Sequence, residues 1–325
     1  MPSHVTLKTD TPKLVRTCSI WRALEVIGDV PTLLILESIW LGDSRFDRIK
    51  SRTCLSKPLI AERLKKLTAN EILERHLYCE KPPRYEYHLS EKGLALFPVT
   101  MMLLRWGKTW SPRRTSLQME LTHGNCSNPI TPEPLCGHCH QIVEPQDIEW
   151  REGPGLGMME PNYTRRRQHR NRQAIAENLS LFTDSAELLG DRWASLVMRS
   201  IFTDLHRFDE VLEDSGMASN ILADRLAWLV ERGFLKAALY QTNPNRFAYH
   251  TTSKSLDYLP ILLVLQRWGD CYYGSALGPP VILHHKKCDA QLKIYAGCEA
   301  CKGELQPSNV TMKLTKTDGA VVNQI

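Results

Sequence analysis

The chain has 325 residues, enough for about two domains of ordinary size. Its 42% hydrophobic and 24% charged residues are typical of a folded globular protein, and no apolar run approaches the roughly 20 residues that a membrane-spanning helix needs. The net charge of +5 is too small to identify a partner. The first residues contain no apolar secretion segment, so we expect a cytoplasmic protein with reduced cysteines and no membrane partner.

Four helices are predicted at the start of the chain. Apolar residues at helical spacing indicate helices over about 19–27, 32–40 and 46–51, and a fourth covers about 57–67. The fourth helix follows Ser56, a good N-cap residue, and has a proline in its first turn, where the missing N–H group is harmless.

Two strands and a long helix complete the unit. The segment 71–93 alternates in period two on either side of a proline-containing turn, which predicts a β-hairpin. A long apolar helix is predicted over about 91–110, and its counterpart over about 254–272 is expected to pack against it. Helices, a basic capped helix, a basic hairpin and a final helix, in that order, are typical of a winged helix-turn-helix.

A helix of this kind fits the DNA major groove, which is roughly 12 Å wide. Side chains near its start would meet base edges, later ones would meet phosphates, and the hairpin tip would reach the neighbouring backbone. Basic residues on such a helix can equally be solvated surface or pair with an internal carboxylate. The predicted DNA contacts of this unit are Ser56, Lys57, Leu59, Arg63, Lys66, Lys81 and Arg84.

One histidine and three cysteines follow, as His123-x2-Cys126-x9-Cys136-x2-Cys139. Four such ligands form a closed tetrahedral zinc set that leaves no position for a catalytic water. Two short knuckles joined by a nine-residue hairpin are expected to surround one ion, as in a zinc ribbon. The predicted role of this ion is structural.

The whole unit is then repeated at an offset of 162 residues, since His285 stands against His123. The offset aligns residues 28–29 with 190–191 and 106–107 with 268–269. Such register across rare residue types indicates a tandem duplication. The second ligand set, with His284 as an alternative to the histidine, is predicted to be His285, Cys288, Cys298 and Cys301, giving two Zn2+ per chain, one within each half.

Other interpretations of the cysteines fit the sequence less well. The string CGHCH at 136–140 matches a haem attachment site, but the second copy, 298–302, lacks the final histidine. A zinc deaminase would need glutamate and proline where Asn125 and Leu135 stand. A reversible redox pair and free thiols remain open.

The second copy departs from the first at the DNA-binding helix. Ser219 replaces a lysine, and Trp228, which is expected to be exposed, replaces another. This half should hold phosphates less strongly. Its predicted contacts are Ser219, Asn220, Arg225 and Arg246. Between the copies, the basic run RRRQHRNR at 165–172 is either a solvated linker or an arm on nucleic-acid phosphates.

The runs 18–49, 55–67 and 82–107, and their less similar counterparts in the second half, resemble HxlR-type winged-helix transcriptional regulators of bacteria. The Cys/His segments resemble a C-terminal extension of some members. The resemblance implies sequence-specific DNA binding by a dimer whose terminal helices form the interface. It also implies regulation by a small-molecule or redox effector through a cysteine near the first helix, a position that Cys18 occupies here; the other interpretation of Cys18 is a small buried residue.

We therefore predict an α+β fold, mainly α, with two winged helix-turn-helix domains in tandem, each followed by a small zinc-ribbon-like module. The predicted divisions are 1–112 and 179–275 for the domains, 113–150 and 276–308 for the modules, 151–178 for a basic linker and 309–325 for a flexible tail.

The predicted function is that of a DNA-binding transcriptional regulator, a repressor, which binds double-stranded DNA as a single-chain pseudo-dimer, alone or in a further homo-oligomer. No nucleophile–base set repeats between the halves, so an enzyme is not expected. The alternative is a zinc-stapled protein-interaction module with weak or lost DNA binding, which the acidic second half and Trp228 favour.

Overall fold

The computed structural model describes residues 14–111, 117–159, 181, 183–316 and 321–324. The first half begins with a short strand, four helices and a hairpin, and ends with two helices that lead into a set of strands. Its helices are α1 (Ser19–Ile27), α2 (Val30–Trp40), α3 (Phe46–Thr53), α4 (Lys57–Ala69), α5 (Glu91–Leu94) and α6 (Phe97–Trp110). Its strands are β1 (Val15–Arg16), β2 (Leu73–Glu80), β3 (Pro83–Leu89), β4 (Leu117–His123), β5 (Pro132–Cys136), β6 (Ile148–Glu152) and β7 (Met158–Met159).

The second half repeats this order. Its helices are α7 (Thr183–Leu189), α8 (Arg192–Phe202), α9 (Phe208–Ser215), α10 (Ser219–Glu231), α11 (Ser253–Leu256) and α12 (Leu259–Tyr273). Its strands are β8 (Leu235–Thr242), β9 (Asn245–Thr251), β10 (Val281–His285), β11 (Ala290–Gln291), β12 (Ile294–Cys298), β13 (Val310–Lys316) and β14 (Val321–Gln324). The α+β fold with two winged helix-turn-helix units in tandem is thus confirmed. Among the described helices, none combines the length and apolar character needed to cross a bilayer.

The predicted long helix at 91–110 is two helices, α5 and α6. Pro98 lies in the first turn of α6, where its lack of an N–H group costs no helical hydrogen bond. The second half divides at the same place, between α11 and α12, and Pro260 occupies the equivalent position.

The terminal helix of each half packs against the first helix of the other half. Helix α12 lies against α1 of the first half, and α6 lies against α7 of the second. Trp106 Nε1 donates a hydrogen bond to the carbonyl of Lys254 (3.1 Å), and its counterpart Trp268 donates to the carbonyl of Lys92 (3.0 Å). Because each contact has an equivalent 162 residues away, the halves are related by a pseudo-two-fold axis.

The strands after each unit form one interlocked module rather than two separate ones. Strand β5 pairs antiparallel with β12, β6 pairs with β10, and β4 pairs with β13. Pro134 lies opposite Ala296, its own counterpart, so the pseudo-two-fold axis also passes between β5 and β12. The divisions 113–150 and 276–308 therefore belong to a shared structure, and the tail expected to be flexible at 309–325 contains β13 and β14.

Candidate DNA interface and metal centre

Helix α4 presents one open face and one buried face. Ile60, Leu64 and Leu67 are buried in the core of the first half. Lys57, at the start of the helix, and Lys65, about two turns later, are both exposed. Ser56 is exposed at the N-cap position as predicted, although its side chain makes no capping hydrogen bond, and Leu59 is half-buried.

Arg63 is committed to the interior of the protein. Its Nε lies 2.9 Å from Asp29 Oδ1, and the Arg63 side chain is only 18% exposed. Burial acts to lower the pKa of Arg63, but the Asp29 carboxylate outweighs burial and the net direction is upward. Arg63 thus pairs with an internal carboxylate, one of the alternatives to a DNA contact that the sequence left open.

Lys66 also points away from the open face. Its Nζ donates a hydrogen bond to the carbonyl oxygen of Glu25 at 2.7 Å, and the side chain is half-buried. Burial lowers the pKa of Lys66. Lys65, which was not among the predicted contacts, is the exposed lysine of this turn. Both lysines lie well away from the buried stripe, so helical spacing alone does not distinguish them, and the contact of Lys66 with Glu25 does.

The second half has the same geometry with different side chains. Ser219 and Asn220 are exposed at the start of α10, whereas Arg225 Nε lies 2.7 Å from Asp191 Oδ2, as in the first half. Trp228 was expected to be exposed, and that expectation is wrong: its side chain is 8% exposed, in a stacked arrangement with Phe234 whose ring centroids are 6.3 Å apart.

Each hairpin forms a wing beside the second helix of its helix-turn-helix, α4 or α10. In the first, β2 pairs antiparallel with β3, and Lys81 and Arg84 are exposed at its tip. In the second, β8 pairs with β9, and Arg246 is exposed. The basic run at 165–172 lies outside the described residues.

The eight predicted metal ligands gather into two clusters, but each cluster draws on both halves of the chain. Within each cluster the ligand atoms all lie within 4.8 Å of one another. The expectation that each half holds its own ion is therefore wrong. The first cluster consists of His123, Cys126, Cys298 and Cys301, and the second consists of Cys136, Cys139, His285 and Cys288.

The sharing of ligands between the two halves follows from the direction of β5. The start of β5 at Pro132 lies opposite Cys298, close to the first cluster, whereas its end at Cys136 lies opposite Ile294. Four residues of extended strand span about 13 Å. Strand β5 therefore carries Cys136 and Cys139 away from the knuckle of their own half and delivers them to the knuckle of the other.

The sulfur–sulfur distance in the first cluster matches that around a tetrahedral zinc ion, and the sulfur–nitrogen distances in both clusters are slightly shorter than ideal. Zinc–sulfur bonds of about 2.3 Å and zinc–nitrogen bonds of about 2.0–2.1 Å place tetrahedral ligand atoms roughly 3.5–3.8 Å apart. Cys126 Sγ lies 3.8 Å from Cys298 Sγ, and Cys301 Sγ lies 3.2 Å from His123 Nδ1. In the second cluster, His285 Nδ1 lies 3.3 Å from Cys288 Sγ.

The protonation of the clusters favours metal binding in part, although burial raises the pKa of the Cys288 and Cys298 thiols. Hydrogen bonding from the backbone of Asn128 lowers the pKa of the Cys126 thiol to about 7. Burial lowers the pKa of His285 and so favours the neutral imidazole that binds metal. His123 and His285 are fully buried, and both direct Nδ1 at the cysteine sulfurs.

Cys18 is buried at the N-cap of α1, with 6% of the residue exposed. Its Sγ accepts a hydrogen bond from Trp21 N at 3.4 Å. Arg199 of α8 interacts electrostatically with this sulfur and pairs with Asp214 of α9, so Cys18 of the first half lies beside the helix-turn-helix of the second.

Parts of this chain are similar in sequence to known proteins. The sequence profile of the HxlR-like helix-turn-helix family matches residues 26–115 and 188–276, more than half of the chain. An HTH-type transcriptional regulator of Mycobacterium tuberculosis is 32% identical over 138 residues, which cover 42% of this chain and 87% of that protein. The HTH-type transcriptional regulator YodB of Bacillus subtilis is 36% identical over 85 residues, 26% of this chain and 76% of that one. The crystal structure of the HTH-type regulator ytcD, 32% identical, covers 26% of this chain and 88% of its own, with a TM-score of 0.25.

Proposed function

The chain belongs to the HxlR-like helix-turn-helix family, a family of DNA-binding transcriptional regulators, and we propose that it represses transcription as a single-chain pseudo-dimer. In this proposal one chain supplies both winged units that two subunits would otherwise provide. Bound at a promoter, it blocks access of the polymerase.

The observation that carries the proposal is the open face of α4 beside the first wing. Lys57 and Lys65 on the helix and Lys81 and Arg84 on the hairpin are all exposed. A major groove accepts one helix, and lysine and arginine at its rim neutralise phosphates. We assign Ser56, Lys57 and Leu59 to the base edges, and Lys65, Lys81 and Arg84 to the phosphates.

Helix α10 is the second recognition helix in this proposal. Ser219 and Asn220 would face base edges, and Arg246 on the second wing would contact the backbone. The pseudo-two-fold axis would place the two recognition helices in successive major grooves, about 34–36 Å apart along the DNA. Arg63, Lys66 and Arg225 then act indirectly, because their contacts with Asp29, Glu25 and Asp191 hold the two helices in position.

We further propose that each Cys/His cluster binds one Zn2+. Four protein ligands of this type form a closed structural site, so the ion would contribute to folding and not to catalysis. Since two ligands of each site come from each half, both ions would fasten one half of the chain to the other.

Cys18 is the proposed point of redox control. The electrostatic interaction with Arg199 links this thiol to α8 and, through Asp214, to α9 of the second helix-turn-helix. Alkylation of Cys18 would place extra atoms in this buried contact. Iodoacetamide treatment of the native chain should therefore reduce DNA binding, while the Cys18→Ser variant should be insensitive at this position; equal loss in both would count against the assignment.

The alternative of a protein-interaction module loses one of its two supports, because Trp228 is buried and offers no surface to a partner.

Selection from a pool of random duplexes, followed by a salt series on the enriched sequences, tests the proposal that the chain binds DNA. We expect specific retention, with affinity falling about 0.9 logarithmic units per tenfold rise in salt for each phosphate contacted. Absence of enrichment at low salt would refute DNA binding.

A further inference from the structure

The two DNA-binding faces differ in charge although they share one geometry. Among the exposed residues of α3 and α4, four are basic and two are acidic. Among those of α9 and α10, which the structure describes completely, four are acidic and none is basic. The basic residues are Arg48, Lys50, Lys57 and Lys65, with Asp47 and Glu62 as the acidic ones, and the four acidic residues of the second face are Asp209, Glu213, Asp224 and Glu231.

The difference is largest where phosphates would lie. In a helix-turn-helix the first helix crosses the DNA backbone while the second enters the groove. In the first half that crossing helix is α3, which presents Arg48 and Lys50 to solvent. Their counterparts on α9 are Glu210 and Leu212, and the Glu210 carboxylate accepts hydrogen bonds from the backbone of His206 and Arg207.

The reading helices differ in the same direction. Lys57 and Lys65 of α4 correspond to Ser219 and Ala227 of α10, and all four residues are exposed. Asp224 keeps the negative charge that Glu62 carries in the first half, but without the neighbouring lysines. A face of this charge repels the phosphates that the first face attracts.

We propose that the protein binds DNA in one orientation on an asymmetric operator, with a dominant half-site gripped by the first half and a weak half-site under the second. This inference rests on the proposed DNA-binding function and specifies its target. The first half supplies the electrostatic affinity and the salt dependence. The second half contributes base-edge contacts from Ser219 and Asn220 and wing contacts from Arg246, so its half-site tolerates more sequence variation.

Hydroxyl-radical footprinting of the full chain on the enriched duplexes tests this inference. One half-site should be strongly protected and narrowly defined in sequence, and the other weakly protected and variable. Lys57→Ala with Lys65→Ala should weaken binding at least about tenfold and reduce the salt slope by about 0.9, as expected for loss of the one phosphate contact assigned to Lys65. Ser219→Ala with Asn220→Ala, the matched change in the second half, should weaken binding less than about threefold and leave the salt slope unchanged.

A gain-of-function variant keeps the test independent of folding defects. Ser219→Lys with Ala227→Lys copies the first face onto the second, and it should strengthen protection of the weak half-site and raise the salt slope. Inverted-repeat operators with equal protection of both half-sites would overturn the asymmetry and leave the proposed function standing. Failure to enrich any duplex would overturn the proposed function, and the asymmetry with it.

Discussion

Asp29 and Asp191, which occupy equivalent positions in the two halves, form an antiparallel β-bridge with one another. Contact between a residue and its own counterpart is what a two-fold axis requires. Each aspartate also caps a helix of its own half and pairs with an arginine of the proposed DNA-binding helix: Asp29 with Arg63, and Asp191 with Arg225. The position of each reading helix is therefore tied directly to the contact between the halves.

This arrangement predicts that Arg63 and Lys57 act by different physical means. Arg63→Ala would leave the Asp29 carboxylate half-buried without its guanidinium partner and should cost about 1–3 kcal/mol of unfolding free energy. Lys57→Ala removes an exposed charge and should change stability by less than about 0.5 kcal/mol while weakening DNA binding.

Urea denaturation and a salt series of DNA binding separate the two effects. Lys57→Ala should weaken binding and alter the base preference without a change in stability, and Arg63→Ala should lower stability and leave the salt slope unchanged. A reduced slope with unchanged stability for Arg63→Ala would show that Arg63 contacts phosphate instead.

The contact between α1 and α12 depends on a glycine. A Cβ atom at Gly269 would lie 2.3 Å from the carbonyl oxygen of Ser19, so Gly269→Ala must push the two helices apart. We expect a loss of about 1–3 kcal/mol, as for other overpacked interiors. The equivalent Gly107 offers a matched control, because a Cβ atom there would be 3.9 Å from Leu181 O, an ordinary contact.

Gly107→Ala should therefore be neutral or stabilising by up to about 1 kcal/mol, since alanine favours the helix over glycine. Thermal unfolding of the two variants compares them directly. Equal effects of both substitutions would contradict the asymmetric packing of α6 and α12.

The same contact should respond to pH. Burial raises the pKa of Asp270 on α12 to about 6 from its ordinary 3.8, against the opposing effects of a hydrogen bond from Ser19 Oγ (2.5 Å) and the charge of Arg22. Between about pH 4 and pH 6 the folded chain holds a proton that the unfolded chain has lost. The contribution of this group to stability therefore falls as pH rises through that range, and it is constant above it.

Asp270→Asn removes this titration. The variant should match the native chain near pH 4 and become the more stable of the two by about 1–2 kcal/mol above pH 6, a figure reduced for partial solvent screening. Chemical denaturation at pH 4 and pH 7 provides the comparison. A constant difference between the two proteins at both pH values would disprove the shifted pKa.

Each cluster combines ligands from both halves of the chain. The zinc content expected of double variants is therefore the opposite of that expected for sites confined to one half. Cys126→Ser with Cys301→Ser alters two ligands of one cluster and should leave one Zn2+ per chain. Cys126→Ser with Cys136→Ser alters one ligand in each cluster and should lower the content of both sites. Ligands confined to each half would give the opposite result, because Cys126 and Cys136 would then share a site.

Inductively coupled plasma mass spectrometry of the dialysed proteins gives the number of ions. The native chain is the reference, with two ions expected. Cys54→Ser, an exposed cysteine outside both clusters, is the control for cysteine substitution in general.

The sequence predicts the local structure well because helices and hairpins follow short-range patterns. The bounds of α1 and α4 lie within about two residues of those that periodicity and capping indicate, and the first hairpin, at 73–89, lies within the predicted segment 71–93. The eight candidate ligands are also identified from sequence, since His-x2-Cys and Cys-x2-Cys knuckles are local features.

The partition of the ligands is not predictable in this way. The pattern His-x2-Cys-x9-Cys-x2-Cys satisfies a four-ligand site either within one half or between halves. The pairing of β5 with β12, which decides between them, joins residues far apart in the chain. Likewise, Arg63 pairs with Asp29 and Trp228 is buried because of tertiary contacts that helical spacing does not specify.

The mass of the protein–DNA complex in solution tests most directly whether one chain alone supplies both DNA-binding units. Size-exclusion chromatography with light scattering on an enriched duplex should give a complex with one chain per duplex, and the free protein should elute as a single chain. Two chains per duplex, at protein concentrations where the free chain is monomeric, would contradict the single-chain pseudo-dimer.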